Sequence, residues 1–115
     1  MGNRSIQRVM LIAAVSVTGL VGLGDAAEAP QAITVQLFQF RPGQVDVPKG
    51  RRITWTNQDD IKHTVTSGTP EKPDGRFSAQ LAGKGATASV EVKESGTYPY
   101  FCERHNSMRG EIRVP

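Results

Sequence analysis

Cysteine is almost missing from this chain: Cys102 is the only one in 115 residues. No internal disulfide can form, so the fold must be held by its core. Aromatic residues are scarce at 6% and do not interleave with the basic ones. That excludes a base-stacking nucleic-acid surface. No hydrophobic run reaches membrane length: VMLIAAVSVTGLVGL, residues 9–23, would span only about 22 Å as a helix against a hydrocarbon core of about 30 Å. After Pro30 no stretch shows a long helical period, and there are no repeats and no low-complexity linker.

The short apolar run follows Arg4 and Arg8 and precedes the small-residue stretch GDAAEA. That order is a secretory signal peptide, expected over residues 1–29 with cleavage near 26–29. No twin-Arg pair is present, so export of an unfolded chain to the periplasm is the simpler route. What is left, residues 30–115, is one domain of about 86–89 residues, enough for a single core. Of the 14 Lys and Arg and 11 Asp and Glu, removal of the leader takes Arg4, Arg8 and Asp25. The small positive excess that remains is no argument for nucleic acid. A lone thiol in an oxidising compartment is a liability unless it is buried, cross-linked or metal-bound.

The domain reads as strands and turns. Ile33, Val35 and Leu37 alternate, with Phe40 beyond a slip at Phe38 and Gln39 read as a bulge. Pro42-Gly43 marks a turn, and Val45 and Val47 alternate before Pro48-Lys49-Gly50. RITWTN carries Ile53 and Trp55 on one face, and ATASVEV turns Ala88, Val90 and Val92 inward. Residues 58–85, with several glycines and prolines, read as long loops around one short strand near His63 to Thr66. Tyr98, Tyr100 and Cys102 share a face of the next strand, where Pro99 calls for an edge or a bulge. Ile112 and Val114 point inward from the last. Six to eight short strands indicate an all-β sandwich or barrel.

The chemistry gathers in YFCERHNSMRG, where Cys102, His105 and Met108 recur at intervals of three. His63, the other histidine of the chain, lies in a loop upstream, and Met1 and Met10 belong to the leader. Taken singly, each of these residues is most simply core or surface. Together, two imidazoles, a thiolate and a thioether are the donor set of a blue copper site. A trigonal His2Cys site with a weak axial Met suits both Cu(I) and Cu(II), so little rearranges when an electron moves. Zinc gains little from Met. A Cys–His nucleophile lacks a helix N-terminus and an oxyanion arrangement.

VPKGRRITWTNQDDIKHTV, ESGTYPYFCERHNSM and RGEIRV together resemble the cupredoxins, the small blue copper proteins, over essentially the whole mature chain. The short C-x-x-H-x-x-M loop is most similar to amicyanin and plastocyanin-like members. The resemblance implies a Greek-key β-sandwich of about seven to eight strands with one type 1 copper near one end. It implies that His63, Cys102 and His105 are equatorial ligands and Met108 axial, and that His105 is the electron's exit. Trp55, Tyr98 and Tyr100 are then scaffold, with Asn57 beside the ligands. A periplasmic electron carrier follows, not an enzyme and a monomer without a membrane span. Its partners would be redox proteins docking around His105: a c-type cytochrome, a dehydrogenase or a reductase. The alternative is a periplasmic copper carrier without an electron-transfer role, although no Met-rich or His-rich tract is present.

Two departures from the family pattern stand out. Arg104 replaces the Pro that many relatives carry before the second His, which restores an N–H near the Cys102 sulfur. Two donors to the thiolate, from Thr64 and Arg104, are therefore expected. The rim around His105 would comprise Ile61, Lys62, Arg104, Asn106, Ser107 and Arg109. It is polar and basic, suited to an acidic partner and unlike a dehydrogenase-binding rim. An exposed His105 would also be free to protonate in the reduced state.

Overall fold

The computed structural model describes residues 29–115, and among them every regular element is a strand. The leader and its cleavage region fall on residues 1–28 and, Ala29 apart, lie outside the described residues. Among the described residues no helix is long and apolar enough to cross a membrane.

The expected alternation produces β1 (Gln31–Gln36), β2 (Gln39–Arg41), β3 (Gln44–Asp46) and β4 (Arg52–Asn57). They are followed by β5 (His63–Thr69), β6 (Lys72–Leu81), β7 (Thr87–Glu91), β8 (Gly96–Phe101) and β9 (Arg109–Val114). One sheet has the order β2-β1-β4-β7 and the other β3-β9-β8-β5-β6. β1 runs parallel to β4 and β3 parallel to β9; the remaining pairs are antiparallel. Sequence neighbours thus sit repeatedly in opposite sheets, the interleaving expected of a Greek-key sandwich. Between the sheets lie Ile33, Val35, Ile53, Trp55, Val65, Leu81, Tyr100 and Ile112, all essentially enclosed.

Three local expectations need correction. The slip after Leu37 is not a bulge. Gln36 pairs with Gln39, and Leu37 and Phe38 form a two-residue hairpin turn with φ of 53° and 59°. Positive φ at both positions defines a type I′ turn. Residues 58–85 are not mainly loop: β5 and β6 form a long hairpin with a register shift between Thr66 and Gly68. β6 bears Pro73 and tolerates it because it is an edge strand. Finally, β8 is an interior strand, but its pairing to β5 is registered only at Thr66↔Phe101 and Ser67↔Tyr100. Pro99 lies just past those pairs and faces only Glu111 of β9, so its missing N–H costs no ladder bond to β5.

Candidate metal centre

The start of β5, the end of β8 and the start of β9 meet at one end of the sandwich. His63 opens β5, and Cys102 follows β8 directly. The loop from Cys102 to Met108 is closed by its own backbone: Cys102 N–H donates to Met108 O (3.1 Å), His105 N–H to Cys102 O (3.3 Å) and Met108 N–H to His105 O (2.9 Å). Spacings of three residues let each ligand residue anchor the next, which is why so short a loop can hold three of them.

Side chains distant in sequence converge here. Cys102 Sγ lies 3.8 Å from His63 Nδ1 and 3.6 Å from His105 Nδ1. All three donor atoms fall within 4.8 Å of one another. Bonds of about 2.0 Å to nitrogen and about 2.3 Å to sulfur would put N and S about 3.5–3.7 Å apart at a tetrahedral or trigonal ion. The observed separations fit one metal ion between them. His63 and Cys102 are fully buried and Met108 nearly so; His105 alone of the four reaches the surface. A buried thiolate, a thioether and two imidazoles are a soft set suited to copper.

Hydrogen bonds hold these ligands. Thr64 N–H donates to the Cys102 sulfur at 3.3 Å, as expected. Arg104 makes no such bond, so the expectation of two donors is corrected to one. The tight loop uses the neighbouring amides otherwise, His105 N–H on Cys102 O and Glu103 N–H on Thr64 Oγ1 (2.8 Å). Asn57 braces the loop that leads to His63. Its Nδ2 donates to Ile61 O (2.9 Å) and Leu81 O (3.3 Å), and its Oδ1 accepts Asp59 N–H (2.9 Å).

Asp59 is the residue that sequence reading missed. Its carboxylate accepts Leu37 N–H at 2.8 Å and Phe38 N–H at 3.0 Å, and one of its oxygens lies 2.8 Å from His63 Nε2. Burial works against the carboxylate's charge, but the hydrogen bonds from Phe38, His63 and Leu37 prevail and hold its pKa below the usual value. An ionised carboxylate only accepts, so Nε2 of His63 must carry the proton and Nδ1 keeps its lone pair for the metal. The available signal was an acid four residues before His63 in NQDDIKH.

Phe38 caps the site. Its ring meets His63 and His105 edge-on at centroid distances of 5.4 and 4.9 Å. Burial, and then the charges of His63 and Arg104, lower the pKa of His105. Phe38, which touches His105, is an apolar neighbour that the expected rim did not include. Leu37, Phe38 and Ile61 are exposed by 67%, 49% and 42%, the large apolar side chains left in solvent among the described residues. Arg109 is engaged by Asn106 O and Glu71.

Comparison with known proteins agrees with this chemistry. Residues 27–115 match the model of the copper binding proteins, plastocyanin/azurin family. Plastocyanin of Sambucus nigra is 34% identical over 65% of this chain and 86% of its own. Amicyanin-alpha of Methylorubrum extorquens is 26% identical over 96% of this chain and 98% of its own. A purple cupredoxin from Nitrosopumilus maritimus superposes with a TM-score of 0.68 at 23% identity, over 74% of this chain and 99% of that one.

Proposed function

This chain belongs to the plastocyanin/azurin family of copper-binding proteins, and from that membership we propose that it is a type 1 copper electron carrier shuttling single electrons between larger redox partners. The carrying observation is the convergence of His63, Cys102 and His105 donor atoms within 4.8 Å, with only His105 at the surface. His63, Cys102, His105 and Met108 would hold the copper. Bound copper supplies a one-electron Cu(I)/Cu(II) couple. The chain supplies everything that keeps the couple fast and reversible. The loop bonds and Asn57 hold donors in place before and after transfer, Thr64 N–H tempers the thiolate, and Phe38 and the buried ligands keep water from the centre.

Four protein donors leave no open position for a substrate, which argues for a carrier and against an enzyme. The half-exposed ring of His105 gives the electron a short path outward. Phe38 packs on this ring and the charge of Arg104 acts on it, and the exposed Leu37 and Ile61 would extend the apolar side of such a face and Lys62 the basic side. Such a face suits a redox protein, a c-type cytochrome or a reductase, with an acidic margin around its own cofactor. The leader pattern supports a periplasmic setting, where a cysteine as buried as Cys102 is protected by burial and by the metal.

The test is to add Cu(II) to the purified mature domain and record the visible spectrum, with Cys102→Ser alongside. An intense thiolate-to-copper band that is lost in the variant, and that bleaches and returns through repeated reduction and oxidation, is expected. A colourless product, or a band indifferent to Cys102, overturns the reading.

A further inference from the structure

The turn at Leu37 and Phe38 is built from the wrong residues. A type I′ turn favours Asn-Gly, because both central positions take positive φ. Here both are bulky and apolar, at 53° and 59°. Side chains at such angles are strained by contact between Cβ and the following carbonyl. Local preference therefore does not account for the turn, and something outside it must hold it.

The Asp59 carboxylate does. It takes the N–H of both turn residues, and with the oxygen that binds Phe38 N–H it also binds His63 Nε2. The loop carrying Asp59 is itself pinned, its N–H on Asn57 Oδ1 and Ile61 O on Asn57 Nδ2. The Asp59 side chain is only 12% exposed, so water competes weakly for these bonds. The turn closes the circuit through Phe38, whose ring rests on both imidazoles. Contacts of one carboxylate thus link the most exposed apolar turn among the described residues to the buried His63.

We propose that Asp59 is a positioning residue that joins the Leu37–Phe38 turn and His63 into one unit, so that seating a metal on His63 stiffens the exposed turn. The inference rests on His63 being a ligand and is independent of electron transfer. A metal that fixes the His63 ring fixes Nε2 in space, hence the carboxylate, hence the two turn amides. The apolar surface offered to a partner is then better ordered in the loaded protein than in the empty one.

Amide hydrogen exchange in the mature chain tests this, measured by NMR with and without Cu(I) added under anaerobic conditions. In the wild-type chain Cu(I) is expected to slow exchange at Leu37 and Phe38 about tenfold or more. In Asp59→Ala both amides exchange fast and Cu(I) no longer protects them, while Ile53 and Val65 in the core keep native protection. A triple variant, Leu37→Asn, Phe38→Gly and Asp59→Ala, gives the turn residues that favour it. It is expected to keep the hairpin closed, read as protection at Gln39, which pairs with Gln36 across the turn, while positions 37 and 38 exchange fast and stay blind to Cu(I), and it serves should the single variant fold poorly. Persistence of the Cu(I) effect without Asp59, or its absence in a wild-type chain that binds Cu(I), overturns the proposal. Failure of the wild-type chain to bind Cu(I) overturns it together with the metal centre, and is told apart by unshifted Cys102 and His105 resonances.

Discussion

Asn57 and Tyr100 are both enclosed, at 0% and 1% exposure, yet the protein treats their polar atoms in opposite ways. At the metal end, Asn57 spends both ends of its amide on Ile61 O, Leu81 O and Asp59 N–H. In the aromatic core below, the Tyr100 hydroxyl and Trp55 Nε1 have no hydrogen-bond partner. Tyr100 is gripped instead by rings, Phe40 at 4.7 Å and Trp55 at 5.3 Å. The site end is held by directed bonds and the core by packing. A hydrogen bond fixes an atom to a few tenths of an ångström, which ligands need; packing excludes water and fixes shape, which a core needs. Substitutions should therefore fail for different reasons at the two places.

The largest effect is expected at the metal end. Asn57→Leu keeps the branching and the number of side-chain heavy atoms, is moderately larger and adds apolar surface, so a purely packed position would lose little. Here it strands the Leu81 carbonyl, which is buried, and the Ile61 carbonyl and Asp59 N–H, which are partly so. The expected loss is about 4 kcal/mol of unfolding free energy, read by chemical denaturation of the metal-free chain. A loss below about 1 kcal/mol would mean that the loop finds other partners and that the contrast is false.

Gly110→Ala probes the core and should cost less. Tyr100 pairs with Gly110 across β8 and β9, and its ring lies over the glycine. A Cβ there would run into the Tyr100 ring at Cζ and the hydroxyl. The ring cannot retreat between Phe40 and Trp55, so overpacking of about 2 kcal/mol is expected by the same denaturation measurement. An unchanged midpoint would show that the ring has more room than its neighbours suggest.

The same division explains what the sequence could reveal. Cys102, His105 and Met108 were legible because one loop of fixed spacing carries them, and His63 because no other histidine remained to pair with them. The sheets were legible because Ile33, Val35, Ile53 and Trp55 alternate with polar residues. The hairpin of β5 and β6 was hidden by Pro73, Gly68 and Gly75, which resemble loop punctuation but sit at an edge or at the register shift. The turn at Leu37 and Phe38 was hidden because its conformation is imposed by Asp59, 21 and 22 residues away. No local pattern encodes that. The single sulfur donor was also a tertiary matter: whether Arg104 N–H reaches Cys102 depends on how tightly the loop closes.

The smallest effect at neutral pH, and the sharpest test of the contrast, is Tyr100→Phe. The hydroxyl removed has no hydrogen-bond partner, so its loss should change stability by less than about 1 kcal/mol at pH 7. Alkali should separate the two chains. Burial pushes the Tyr100 pKa from 10.0 up to about 12, opposed weakly by the nearby Trp55 indole N–H, which favours the phenolate without reaching hydrogen-bond geometry. Between pH 10 and about 12 the unfolded chain releases this proton while the folded chain keeps it. The unfolded state then binds fewer protons, so stability falls as pH rises. The full loss is about 2–3 kcal/mol by the upper end of that window. Tyr100→Phe should erase that portion of the alkaline decline, measured by denaturant midpoints at pH 8 and above pH 11. Parallel declines in the two chains would mean that the phenol ionises in the fold as easily as in water, and that the core around it is not dry.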